Sequence, residues 1–241
     1  MKNAHFLPII FLCLPLLWCS FWFFVLVGIA LFETLHTRQF APADSAEENK
    51  SSYTTEVNQA AADMGLRNCG EFVQTRGGIY NARLTLWMSA EDDTLIVVSG
   101  GTVANIPQRR TSLFSHVGDG RFLRTIDEPG VADISGSTEL NVLLHGNLRE
   151  LYESHRSRLA SMSLEPLKFD TSKILCEYEN IKEIQVERMR DLGLVRYLNP
   201  ERTIYRHTLK GAIANYKEGF LKQLAISLSQ KSRLNVKRPG T

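Results

Sequence analysis

Hydrophobic and polar positions divide the chain sharply near residue 33. From Phe6 to Phe32 there is no charged side chain and the only polar residue is Ser20. A bilayer core of about 30 Å needs roughly 20 apolar residues in a helix, and only a helix satisfies every backbone group locally in hydrocarbon. The pattern therefore predicts a transmembrane anchor within residues 1–36, with the regular span from Pro15 to Phe32. A cleaved signal peptide has a shorter apolar core, about 7–15 residues, with small residues close behind it. Here the Ala-x-Ala at Ala41 to Ala43 lies well past the end. Residues Thr37 to Ser52 show no apolar period and read as a flexible tether, residues 37–52.

Beyond the tether the periodicity alternates between helix and strand. Val57, Ala60, Ala61 and Met64 are spaced for a short helix between Tyr53 and Leu66. Tyr80 to Met88 alternates, with Ala82, Leu84, Leu86 and Met88 on one face and Arg83, Thr85 and Trp87 on the other. Thr94 to Ser99 is an unbroken apolar run, as in a strand covered on both faces. Arg109 to Val117 and Arg121 to Asp127 flank Gly118-Asp119-Gly120, a hairpin signal. With Asp119-Gly120 as a two-residue loop, Val117 faces Phe122 and Leu113 faces Ile126. A shorter strand near Glu71 to Thr75 would complete an antiparallel meander.

Ser135 to Thr138 then offer N-caps for a helix carrying Leu140, Leu144, Leu148, Leu151, His155 and Leu159. A second helix is expected from Thr171 to Leu192. An extended pair follows, Leu194 to Tyr197 and Ile204 to His207, and a last helix from about Lys210 to Gln230. The fold class is α+β: an N-terminal transmembrane helix, a β-meander packed by helices (residues 53–162), and a helical, wing-like C-terminal part with a basic tail (residues 163–241).

Composition adds little: 44% hydrophobic, 22% charged and a net charge of +2 are ordinary for a globular chain. The distribution of charge says more. From Arg202 to Thr241 there are nine basic residues against Glu218 alone, a net charge of +8 that leaves −6 on the rest. Lys217, Lys222, Lys231, Arg233, Lys237 and Arg238 are the candidates for contacts with a membrane surface or a partner.

Catalytic and metal signatures are sparse. Cys69, near Arg67, is the one thiol in a setting that suggests a nucleophile, with His116, His145 or His155 as possible bases. Packing as a small apolar residue is the simpler reading of Cys69 and Cys176, and a Cys69–Cys176 disulfide requires an oxidising compartment. No His-x3-His pair, phosphate-binding glycine loop or Gly-x-Ser-x-Gly elbow is present, so no cofactor or metal is expected.

Two resemblances extend this reading. Asp191-Leu192-Gly193-Leu194-Val195-Arg196, Asn199-Pro200-Glu201-Arg202 and Tyr205 to Gly211 resemble the end of a winged-helix domain, which implies DNA binding. Against it, Glu177 to Arg190 reads as one uninterrupted helix with no turn ahead of it. Arg76 to Tyr80 and Tyr205 to Ala212 also resemble bacterial single-pass membrane-anchored proteins that carry no assigned activity. The expected function is a non-catalytic interaction or envelope-associated module. Its partners are the bilayer, through Phe6 to Phe32, and another protein. The short tail bearing Lys2 stays in the cytoplasm and the body lies outside. The alternatives are a hydrolase with a scattered active site and a membrane-tethered nucleic-acid-binding protein.

Overall fold

The computed structural model describes residues 18, 20–21, 23–37, 40–43, 52–74, 80–103, 106–127, 133–162 and 165–221. Its α+β core is a seven-stranded sheet ordered β2-β3-β4-β5-β6-β7-β8: Phe40–Pro42, Arg67–Gln74, Tyr80–Met88, Leu95–Val103, Ile106–His116, Phe122–Ile126 and Thr138–Val142. Strands β2 to β7 pair antiparallel. Alternation makes both faces apolar. Leu84, Leu86, Met88, Leu95, Val97, Phe114 and Phe122 line one, under Ile174 and Ile181 of α4 (Ile174–Asp191). Trp87, Ile96, Val98 and Leu113 line the other, under Ala61 of α2 (Ser52–Asp63) and Leu148 and Leu151 of α3 (Leu148–Met162). The sheet is thus the middle of three layers, as the doubly covered strand at Thr94 to Ser99 requires.

Several expectations need correction. The hairpin closes on three residues, Gly118, Asp119 and Gly120, with φ of 88°, 51° and 62°. Phe122 therefore pairs with His116 and Ile126 with Ser112, one residue from the expected register. Such a slip exchanges faces: Phe122 joins the cluster beneath α4, while Val117 packs with Leu123 and Leu159 of α3. Residues 138–142, expected in a helix, form β8, and β8 runs parallel to β7. The two faces of β8 are held from opposite sides. Gln185 Nε2 of α4 donates to Thr138 Oγ1 at 3.0 Å, and Asn141 Nδ2 donates to Ser154 Oγ of α3 at 2.9 Å. Ser135 and Ser137 do not cap a helix, because both hydroxyls donate to Asp133. The cap of α3 is Asn147, whose Oδ1 accepts from Glu150 N while Glu150 Oε2 accepts from Asn147 N, a reciprocal capping box. In the stretch read as a tether, Phe40–Pro42 is the edge strand of the sheet, paired with Phe72 to Gln74.

A second, three-stranded sheet joins residues 35–36 to residues 195–207. Residues 23–32 are helical (α1), and Leu35–His36 follow as β1. After α4, Gly193 at φ 70° ends the helix in a Schellman motif: Gly193 N donates to Arg190 O and Leu194 N to Met189 O, both at 2.8 Å. Then come β9 (Val195–Tyr197), β10 (Ile204–His207) and α5 (Leu209–Ala214), which continues as π-helical turns over Asn215–Leu221. The strand order is β1-β10-β9, all antiparallel. Among the described residues no helix is long and apolar enough to cross a membrane. Of the expected regular span, Pro15 to Phe32, residues 15–17, 19 and 22 lie outside the described residues, as do residues 6–14 before it.

Candidate functional site: the face around the first helix

Strand β10 runs antiparallel to β1 and so returns to the C-terminal end of α1, where α5 begins. Three contacts fix that start. Thr208 Oγ1 accepts from Gly211 N at 3.1 Å and donates to Gly193 O at 2.8 Å, and Lys210 Nζ donates to Leu192 O at 2.8 Å. Gly211 approaches the backbone so closely that a Cβ there would stand 1.8 Å from Leu194 O. From this point α5 runs back along α1. Val27 and Ala30 pack with Ala212 and Tyr216, and the Phe23 and Tyr216 rings meet edge-on at 5.1 Å. Phe23 precedes Phe32 by nine residues, about 13 Å of helix, so the first and last described helices form an antiparallel pair.

Large apolar side chains are exposed on and around this pair. Of ten large apolar side chains exposed among the described residues, Trp18, Phe21, Phe24, Ile29 and Phe32 precede β1, and Leu192, Leu198, Leu209 and Ile213 lie on the segments around it. Only Leu167 is elsewhere. Phe24 and Phe32 are 73% and 78% exposed, and Leu209 60%. Scattered exposed residues are unremarkable, but nine of the ten falling on α1 and the segments around β1 make this region the candidate interaction surface.

Basic residues accompany the patch. Arg196 and Arg206 share the outward face of the small sheet. Its other face, with Val195, Tyr197 and Tyr205, packs on Val186 and Met189 of α4. There burial raises Tyr205 to about 12, reinforced by Glu33, and burial with the Glu187 carboxylate raises Tyr197. Of the six basic candidates, Lys217 is exposed beside Tyr216; Lys222, Lys231, Arg233, Lys237 and Arg238 lie outside the described residues. Arg196, Arg206, Leu209 and Ile213 are not among the six contact candidates read from the sequence, although Arg206 belongs to the same basic C-terminal stretch. The alternation in Val195-Arg196-Tyr197 and Ile204-Tyr205-Arg206-His207 was the available signal.

The residues considered for catalysis are not brought together. Cys69 is half-buried, its Sγ donates to Arg67 O at 3.6 Å, and burial raises its pKa. Cys69 and Cys176 are both free thiols. His116 stacks on Phe122 at 4.8 Å, and burial lowers its pKa. His145 occupies an exposed turn at φ 60°. His155 is wholly buried, with Nε2 3.0 Å from Ser115 Oγ and Nδ1 2.8 Å from Thr125 Oγ1.

That Ser–His contact is not an activated nucleophile. Ser115 Oγ donates to Asp93 O at 2.7 Å, so it accepts from the Nε2–H of a neutral His155, and Thr125 donates to Nδ1. Burial lowers His155 to about 4. Asp93 completes the network, accepting from Ser89 at 3.0 Å, Thr94 at 2.9 Å and Arg156 at 2.6 Å. Burial alone would raise Asp93, but these donors outweigh it and lower its pKa. The network joins α3 to the sheet.

Among the described residues no group of three or more His, Cys, Asp or Glu gathers to hold a metal ion. A hollow of about 220 Å³ along α4 is lined by Lys173, Cys176, Glu177, Glu179, Asn180 and Glu183. No family model, curated protein or solved structure matches the chain.

Proposed function

We propose that this chain is a single-pass membrane-anchored protein whose α+β body is a non-catalytic interaction module held against the bilayer on the extracytoplasmic side. The observation that carries the reading is the gathering of exposed apolar side chains on and around α1. The charge-free stretch from Phe6 to Phe32 is 27 residues, and about 20 cross the hydrocarbon. Lys2 flanks the apolar stretch on its N-terminal side, and flanking positive charge favours the cytoplasm, which sends the body outside. The partner of the body is another protein.

Washing membranes with alkaline carbonate tests the anchor in the full chain. The protein stays in the pellet under this reading; its release overturns the anchor. A reporter joined at Thr241 tests sidedness, and reporter activity in the cytoplasm overturns the external placement. Single substitution of Cys69, His116 and His145 leaves function intact in a binding module, whereas loss at any of them favours a catalytic site.

A further inference from the structure

Arg196 and Arg206 stand directly opposite one another on β9 and β10. Cross-strand neighbours have Cβ atoms roughly 5 Å apart, and like charges there are destabilising. Nearby arginines are neutralised: Arg190 Nη1 lies 2.5 Å from Glu187, and Arg202 Nη1 3.9 Å from the same carboxylate. Arg196 has no ion-pair partner among the described residues. Arg206 Nη2 donates to Thr34 Oγ1 at 3.1 Å, and its buried Nε has no acceptor. An arginine pair with no ion-pair partner among the described residues is suited to a phosphate-bearing anion.

The position of the pair selects the anion. Thr34 is two residues beyond α1, so Arg206 sits where the chain leaves that helix. On the same outward face the register places Ile204 and the exposed Leu198, and Lys210 marks the start of α5 close by. Guanidinium groups at the headgroup level, with apolar side chains beside them, match an anionic bilayer surface. We infer that Arg196 and Arg206 form a clasp for anionic phospholipid headgroups and seat the small sheet on the membrane. This rests on the anchor reading above, and adds the lipid class recognised and the face that meets it.

The test uses the full chain in lipid nanodiscs of phosphatidylcholine, alone or with a third phosphatidylglycerol, and follows amide hydrogen exchange. With phosphatidylglycerol, exchange over Val195–His207 slows by about tenfold. The R196Q/R206Q variant loses that slowing while β3 to β7 exchange as before, and R196K/R206K retains part of it. No slowing, or equal slowing in R196Q/R206Q, overturns the clasp. Equal slowing by inorganic phosphate added to neutral discs also overturns it, since the site would then be one for free phosphate. A carbonate wash separates the two readings. A protein retained in the pellet but indifferent to phosphatidylglycerol has the anchor without the clasp, and a released protein has lost the anchor itself.

Discussion

The ring of Phe23 meets the ring of Tyr216 edge-on, with 5.1 Å between centroids and 88° between planes. The two residues come from opposite ends of the described chain, and their contact closes α1 against the segment after α5. Tyr216 is 8% exposed, with Val27, Ala30 and Ala212 around it. Tyr216→Ala removes about 3 kcal/mol of docking. The expected result is protease cleavage within residues 209–221 while the large sheet keeps its denaturant midpoint. Unchanged cleavage contradicts the pairing.

Gly211 is required by space rather than by backbone angle. Gly211→Ala drives a methyl into Leu194 O, so α5 must leave the small sheet, at a cost of about 3 kcal/mol or more. Gly136→Ala is the control: φ is 70° with nothing within 4 Å, so strain alone costs about 1–2 kcal/mol. Chemical denaturation of both variants checks the ranking.

His155 makes stability depend on pH. Its ordinary pKa of about 6.5 falls to about 4 on folding, so below 6.5 the unfolded chain binds the extra proton. Stability falls as pH drops from about 6.5 towards 4, by about 3 kcal/mol in all, and this contribution levels off below that. Urea unfolding at pH 7, 5.5 and 4.5 shows the slope, and His155→Leu flattens this part of it.

The start of α3 is checked by its cap. Asn147→Ala removes the acceptor for Glu150 N and costs about 1 kcal/mol. Ser154→Ala, which takes the Asn141 acceptor from the β8–α3 contact, costs about 1 kcal/mol as well. Were the helix to begin near Ser137, Asn147→Ala would have almost no effect on thermal unfolding.

Much of the fold is legible in the sequence. The alternation from Tyr80 to Met88 assigns Leu84, Leu86 and Met88 to one face and Trp87 to the other, as observed. The run at Thr94 to Ser99 is a strand covered on both faces, and α4, β9 and β10 fall where their periods place them. The failures have local causes. Gly118 adds a third left-handed residue to the turn, and one residue is enough to exchange the faces of Val117 and Phe122. Leu140 and Leu144 happen to continue the spacing of the α3 stripe, although Thr138–Val142 pairs with β7 across an eleven-residue connection that no short-range pattern encodes. Phe40–Pro42 is held as a strand by β3 and by Phe40 N donating to Glu179 Oε1 at 3.3 Å, a partner 139 residues away. The candidate site was half visible: its basic character was plain, but the Arg196–Arg206 juxtaposition depends on a strand register.

The central claim is that the bilayer receives the stretch from Phe6 to Phe32 and meets the body at the face around α1. A photoreactive carbene dissolved in the lipid phase, with its adducts mapped by mass spectrometry on the full chain in membranes, tests this most directly. The account predicts adducts on residues 6–32, with weaker labelling at Leu209 and Ile213 and none on β3 to β7. A stretch from Phe6 to Phe32 left unlabelled, or adducts spread evenly over the body, would contradict it.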